Sequence, residues 1–398
     1  MPKSPAGLTP CELVANLILD ANITYGQGDT AKNAYLLTWM DDLLESSSNL
    51  YLKARALEVR LAIDFYDVGD YLGGVKAAKT FLTGAKEAIK AKPELLDELT
   101  NAQFGVIEGT IAELLVTEVS VAENFEESRA LLQGWSALNP AAPSSKEAIT
   151  LGIRSRLRGK LSKDHGDWVV GEGQLKEFLD IFAVRGSQTE GWAAGDLAHV
   201  LMELKHEKEA EEVLVKYLQP RRESQTHKER MRDRRSDTIY LEMLLGECLL
   251  LQNRYKEAEE TLQDILQHLQ NFESLWHFEK FRILFTLSAL ARLRHQADQF
   301  SSALEYWGKV LDYCLKELDT HKQKGKWGRD TLIPRIVLLS MADCYFELGN
   351  QEHALVLQQE ALESIHSCAE QRWILGLGTY WLDWIKMKIN QRIPYFKS

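Results

Sequence analysis

His206-Glu207 holds the first two residues of a helical zinc motif, in which a second histidine one turn later completes the metal site. Position 210 is alanine, so that pair does not form. Gly152 to Lys160 ends in Gly-Lys, as a phosphate-binding loop does. It has six residues between its glycines where four are needed, and Leu161 follows the lysine in place of serine or threonine. Gly26-Gln27-Gly28-Asp29 is a glycine pair that a left-handed helix stop explains. Gly376-Leu377-Gly378 follows no strand pattern, so a dinucleotide site has no support there. The ten histidines are dispersed, and the five cysteines (Cys11, Cys248, Cys314, Cys344, Cys368) show no CxxC spacing. Nucleophilic triads are defined by geometry, not by sequence order. None is visible along the chain, and the expectation is no catalytic residue, no metal ligand and no cofactor.

The elements that would have to position any such group are helical. The chain has 398 residues, 45% apolar and 26% charged, with a formal net charge of −11. That composition is globular rather than disordered, and its acidic balance argues against a nucleic-acid binder, which needs a Lys/Arg surplus. Single, unpaired cysteines argue against a disulfide framework and for a reducing compartment. The N-terminus lacks the apolar core of a signal peptide, and no window approaches 18 uninterrupted apolar residues. A soluble cytoplasmic protein, or a nuclear one, with no membrane partner is expected.

Nine prolines stand at 2, 5, 10, 93, 140, 143, 220, 334 and 394, and the stretches between them are rich in Ala, Leu, Glu, Lys and Gln. Those residues lose little rotamer freedom in a helix. Apolar residues return at three- and four-residue steps, as in Leu241, Leu244, Leu245, Cys248 and Leu249. Strand-like alternation is nearly absent; Trp168–Val170 is the nearest case and is too short to seed a sheet. Thr9-Pro10-Cys11-Glu12 and Ser144-Ser145-Lys146-Glu147 read as capped helix starts, and Pro93-Glu94 as a third. Asp67-Val68-Gly69-Asp70, Gln252-Asn253-Arg254 and Leu348-Gly349-Asn350 read as stops. Stops only a few residues from the next helix predict helix hairpins.

The hairpins repeat. Gly246 lies in a first helix, Tyr255 follows nine residues later, then Ala258, Leu262 and Ile265 in the second. The same spacing fits Ala291, Phe300, Ala303, Trp307 and Val310; Ala62, Tyr71, Gly74, Ala78 and Phe81; and Val116, Phe125, Ser128, Leu132 and Trp135. Looser copies are Ala198, Ala210, Leu214 and Tyr217, with Glu207 at the aromatic place, and Ala342, Ala354 and Ala361, with Gln351 and Gln358 between. Degenerate copies fall around Ile18 to Leu44 and between Lys146 and Ala183. Small residues let two antiparallel helices approach, so Gly246/Ala258, Ala291/Ala303 and Ala342/Ala354 are expected to face each other at the crossings.

This pattern resembles the tetratricopeptide repeat (TPR), over about residues 15 to 365. The last four second small residues, Ala210, Ala258, Ala303 and Ala354, are 48, 45 and 51 residues apart, against a usual period of about 34. The resemblance is therefore to a long-helix variant, similar to kinesin light chains, sensor regions of helical signalling ATPases and scaffold subunits. A helical repeat of another type, such as HEAT, is the competing reading. The resemblance implies an all-α fold, a right-handed α-solenoid of stacked antiparallel hairpins with no significant β-sheet. The expected divisions are an N-terminal tail (1–8), TPR-like hairpins (9–140), degenerate hairpins (141–220), a basic linker or helix extension (221–236), C-terminal hairpins (237–370) and an aromatic capping helix with tail (371–398).

In that family the first helix of each hairpin lines the concave face. The peptide-binding candidates implied here are Trp192, His199, Tyr240, Met243, Glu247, Phe285, Arg292, Ile336, Asp343 and Phe346. Their mixture of apolar anchors and single charges suits an extended or helical peptide. Some family members clamp a terminal carboxylate with paired Lys and Asn. The corresponding places hold Glu247, Arg292 and Asp343, so that clamp is not reproduced. The basic run Arg221 to Arg235, with seven Lys/Arg against three acids, reads as a solvated linker or a contact for an acidic or phosphate-bearing partner. Residues 1–200 carry 19 basic and 28 acidic side chains, a balance that could steer a basic partner. Trp373, Tyr380, Trp381, Trp384, Tyr395 and Phe396 suit a helix that seals the last hairpin, or a contact for another subunit. The leading functional reading is a non-catalytic scaffold or adaptor for a protein or peptide. Behind it stand a regulatory module of a signalling or transcription system, and an enzyme on a helical solenoid.

Overall fold

The computed structural model describes residues 30–46, 50–63, 71–92, 155–163, 166–183, 185–223, 236–270, 277–322, 332–365 and Met387. The capped starts at Thr9, Pro93 and Ser144, the Val116–Trp135 copy, most of the basic run and nearly all of the 371–398 stretch lie outside these residues. The chain divides into two compact bodies. One comprises residues 1–118, 123–157 and 274–278; the other comprises 119–122, 158–273 and 279–398.

In the first body α1 (Thr30–Ser46), α2 (Leu50–Ile63) and α3 (Tyr71–Ala91) follow one another. Leu36 and Met40 of α1 pack with Ala56, Val59 and Ile63 of α2, and Trp39 and Leu43 flank them. On α3 the buried residues Val75, Ala78, Phe81, Leu82 and Ala85 fall three or four apart, the stripe of an amphipathic helix.

The second body contains α4 (Trp168–Glu177), α5 (Gln188–Glu203), α6 (Glu207–Glu223), α7 (Ser236–Leu251), α8 (Tyr255–Gln270), α9 (His277–Gln296, whose first two residues belong to the other body), α10 (Phe300–Lys322), α11 (Leu332–Glu347) and α12 (Gln351–Ile365). Trp168–Val170, the most strand-like stretch of the sequence, opens α4. That helix runs into a wider π turn over Phe178–Phe182, closed by Ala183 N–H donating to the Phe178 carbonyl at 2.9 Å. The remaining helices form four hairpins: α5/α6, α7/α8, α9/α10 and α11/α12.

All four hairpins turn in the same way. Lys205, Asn253, Asp298 and Gly349 each adopt a left-handed conformation, with φ of 64°, 60°, 58° and 81°. The next residue donates its N–H five residues back: His206 to Leu201, Arg254 to Leu249, Gln299 to Arg294, Asn350 to Tyr345. This is the Schellman termination, which satisfies carbonyls at the helix end. Ala210, Ala258, Ala303 and Ala354 then each donate four residues back, to those same turn residues, at the start of the second helices.

The two helices of a hairpin differ in burial. Along α8 the buried residues are Ala258, Leu262, Ile265, His268 and Leu269, with polar residues between them. Along α6 they are Ala210, Leu214, Leu218 and Arg221, so Leu218 takes the buried place expected for Tyr217. The first helices are buried nearly all round: every described side chain from Asp237 to Leu250 is buried except Tyr240.

The crossing itself differs from the small-against-small pairing expected. A Cβ built on Gly246 would lie 2.6 Å from Leu262 Cδ2 and 2.7 Å from its Cγ. Glycine makes room for the large residue of the facing helix, one turn beyond Ala258. The same device joins first helices to each other. A Cβ on Gly191 would lie 2.8 Å from Asp237 Cβ, and one on Gly195 would lie 2.7 Å from Tyr240 Cδ1.

Candidate functional site: the face of the first helices

The small residues Ala198, Gly246, Ala291 and Ala342 set a common register for α5, α7, α9 and α11. One place after each stand His199, Glu247, Arg292 and Asp343, all buried. A buried charge needs a partner, because its desolvation otherwise costs several kcal/mol. Glu247 and Arg292 meet each other across α7 and α9. Asp343 Oδ2 on α11 lies 2.7 Å from His295 Nε2 on α9. His199 Nε2 faces Glu203 Oε1 at 3.5 Å, and its ring lies 6.4 Å from that of Trp168. Lys163 Nζ reaches Asp196 Oδ1 at 2.5 Å, and the Tyr240 hydroxyl donates to the same oxygen at 3.1 Å. Apart from His199, which faces Glu203 of its own helix, the charges of this face are spent on joining neighbouring helices.

A second clasp uses the start of the basic run. Arg221 is buried. Its Nε donates to Asp237 Oδ2 at 2.8 Å, and its Nη2 donates to Glu190 Oε2 at 3.2 Å and to the Ser187 carbonyl at 2.8 Å. Its Nη1 donates to the Tyr217 carbonyl at 2.8 Å, near Pro220, which brings no N–H to the helix. Arg222 pairs with Glu242 at 3.2 Å. Both residues extend α6: Arg221 is buried and ties it to α5 and α7, so it is not a solvated linker residue, whereas Arg222 is exposed and reaches Glu242 of α7. Ser187 also caps α5, accepting from Glu190 N–H at 3.1 Å, while Glu190 Oε2 accepts from Gly186 N–H at 2.8 Å.

One constellation could not be read along the chain. Cys344 Sγ lies 3.5 Å from His295 Nδ1, while Nε2 of the same ring faces Asp343. In the tautomer with the proton on Nε2, the ring donates to the Asp343 carboxylate and Nδ1 accepts from the thiol. Thiol, imidazole and carboxylate stand in the order of a nucleophilic relay. Their exposures are 0%, 2% and 3%, so no substrate carbonyl reaches the sulfur. The set acts as a clamp between α9 and α11. Among the described residues no group of His, Cys, Asp and Glu is arranged to hold a metal ion, and no helix is long and apolar enough to cross a membrane.

Of the ten expected peptide contacts, His199, Met243, Glu247, Arg292, Ile336 and Asp343 are buried, and Trp192, Tyr240, Phe285 and Phe346 are half-buried. Three of the latter share a position. Trp192, Tyr240 and Phe285 each stand six residues before the small residue of their helix. Each is the single break in burial along its helix, between 190 and 202, 237 and 250, and 282 and 293. On α11 the same place holds Ile336, fully buried. Elsewhere an open groove of about 370 Å³ adjoins Val215, Leu218, Arg222 and Leu245. Its walls mix both charges and converge on no point, unlike a small-molecule site.

Neither a protein-family model nor a curated protein matches the sequence. Solved structures do. NprR in complex with its cognate peptide NprX is 14% identical, covers 83% of each chain and superposes with a TM-score of 0.53. A Rap protein complexed with competence and sporulation factor is 15% identical, covers 91% of this chain and 100% of that one, and has a TM-score of 0.48. Aspartyl phosphate phosphatase F from Bacillus subtilis is 12% identical, covers 94% and 98%, and has a TM-score of 0.42. At these identities the likeness is one of fold. The paired helices, their shared turn and their common register make this chain a TPR-like helical-repeat protein.

Proposed function

We propose that the protein is a non-catalytic scaffold that holds a protein or peptide segment on the concave face formed by α5, α7, α9 and α11. One observation carries the reading: over 190–202, 237–250 and 282–293 of three successive first helices, every residue is buried except one half-buried aromatic residue each, at one register. Aromatic side chains concentrate binding energy at interfaces, and these three are left partly open at one register of the repeat. The fold is shared with NprR, which holds its cognate peptide. The acidic balance of the chain disfavours nucleic acid as the partner. A regulatory module is the second reading. Glu247–Arg292 and His295–Asp343 join neighbouring first helices, so a segment that parts these helices is felt in the next hairpin.

The test is panning a displayed peptide library on the immobilised 398-residue chain. Enriched peptides are expected to lose binding to the Tyr240→Ala/Phe285→Ala double variant while its far-UV circular dichroism stays unchanged. Equal capture by the double variant overturns the reading.

A further inference from the structure

We propose that the outward face of α4 docks a cationic amphipathic helix of another protein. This surface is separate from that of α5, α7, α9 and α11, so the inference goes beyond the scaffold reading.

Local cost is the first argument. Val169, Val170 and Ile181 are 71%, 44% and 66% exposed. β-branched residues are poor helix formers, and solvent returns nothing for their apolar surface. The helix also carries two glycines. Gly171 has a reason inside the fold, because a Cβ there would lie 3.2 Å from the backbone nitrogen of Lys163. Gly173 has none: a Cβ there meets nothing within 4 Å, and its backbone is not left-handed. The π turn over Phe178–Phe182 is a third local cost, of a kind that recurs at functional sites. Where local rules are broken with no return inside the chain, a functional contact is the usual return.

Shape is the second argument. Val169, Gly173, Glu177 and Ile181 are spaced four apart and all exposed, so they form one ridge. Four residues overshoot one α-helical turn, and the wider π turn takes that drift back, which keeps Ile181 in line with Val169. Gly173 is a notch in this ridge, where a second helix can approach closely.

Charge is the third. Asp167, Glu177 and Asp180 are exposed and form no ion pair among the described residues. Lys176, the one cation of α4, is already held by Glu172 at 2.7 Å and Glu209 at 2.8 Å. Glu177 and Asp180 lie at the C-terminal end of the helix, where the dipole is also negative and favours a cation. Nucleic acid, an anionic membrane and an acidic peptide all meet like charge here. A helix with an apolar face bordered by lysine or arginine meets both the aliphatic side chains and the carboxylates.

The probe is a capped, fluorescein-labelled (Leu-Lys-Lys-Leu-Leu-Lys-Leu)2 peptide titrated with the 398-residue chain by fluorescence anisotropy. The same peptide with Glu in place of Lys is the comparison. Saturable binding of the lysine peptide alone is expected, weakening as salt is raised. The double variants Val169→Ser/Ile181→Ser and Glu177→Gln/Asp180→Asn should each weaken it about tenfold. Gly173→Leu should weaken it by a similar factor while raising the thermal midpoint, because it fills the notch and improves helix propensity. All five sites are exposed, so far-UV circular dichroism should show each variant folded. Glu260→Gln/Glu352→Gln removes the same charge from α8 and α12 and should leave binding unchanged. Equal binding after the ridge substitutions means that net charge alone attracts the peptide, and overturns the proposal. Absence of binding, or binding of the glutamate peptide, overturns it too. A dimer in sedimentation that the ridge substitutions dissociate makes the occupant a second copy of this chain, and the proposal falls. The ridge shares no residue with the aromatic register, so this outcome and that of the library experiment are read separately.

Discussion

Gly246 shows how much one missing side chain decides. It lies in the interior of α7, where glycine costs up to about 1 kcal/mol of helix propensity relative to alanine. The compensation is Leu262, which occupies the volume a Cβ would fill. Overpacking a close crossing costs about 1–3 kcal/mol, so Gly246→Ala is expected to destabilise despite the gain in propensity. Leu262→Ala alone should cost about 2–5 kcal/mol, since Leu262 is fully buried. The two are in contact, so the double variant should lose less than the sum by about 1 kcal/mol. Urea unfolding of the four proteins tests this, and strict additivity would mean that Leu262 is not the neighbour that matters. Gly191 and Gly195 play the same part between α5 and α7, where four residues of separation put both on one helix face. The GWAAG spacing is visible in the sequence, but as a pair of small residues within one helix, not as the place where the next hairpin docks.

At the level of elements, the turn is the most regular feature. Left-handed φ costs a non-glycine residue about 1–2 kcal/mol. Lys205→Gly is therefore expected to raise stability by about 1 kcal/mol, and Gly349→Ala to lower it by a similar amount. Thermal unfolding reads both, and opposite signs would remove the assignment of these residues to the turn. The turn also holds its neighbour through Glu211 of α6. Burial pushes that carboxyl up, but hydrogen bonds from Gln252 at 2.9 Å and Arg254 at 2.6 Å outweigh it and hold it below its ordinary value of 4.5. A carboxyl depressed in the folded state contributes stability that is fully present above its unfolded value and is lost as pH falls through the folded one. Glu211→Gln should therefore narrow the gap to wild type only below about pH 4.5, measured as the difference between two stability–pH curves; a gap unchanged in acid would exclude the link. Asn253 and Gly349 are legible as stops because Asn and Gly tolerate this conformation. Lys205 and Asp298 carry a weaker signal. The hairpins and the aromatic register were legible because helical period and small-residue spacing are local properties. The pairing of Glu247 with Arg292, and of His295 with Asp343, was not, because the partners are 45 and 48 residues apart. A helical period specifies a stripe and leaves open which helix covers it.

At the scale of the second body, buried ion pairs and one buried His–Asp hydrogen bond fall at the joints between hairpins. In the second body Arg221 joins the first hairpin to the second, Glu247–Arg292 the second to the third, and His295–Asp343 the third to the fourth. In a stacked repeat each unit touches only its neighbours, so stability is close to a sum of hairpin and joint contributions, and cooperativity depends on strong joints. Removing one partner of a buried pair leaves a desolvated charge and costs about 3–5 kcal/mol, whereas replacing both with apolar groups of similar volume is often neutral. Arg292→Ala should thus weaken the middle joint enough to separate unfolding into two transitions, with α9–α12 and α4–α8 exchanging their amide hydrogens at different denaturant concentrations. Glu247→Leu/Arg292→Met should restore a single transition near the wild-type midpoint. Hydrogen exchange followed by mass spectrometry resolves the two segments. If Arg292→Ala unfolds in one step with both segments exchanging together, the joints are not the limiting contacts and the hairpins must be coupled by their apolar faces, of which Leu262 against Ala289 and Leu290 is the nearest example at this joint.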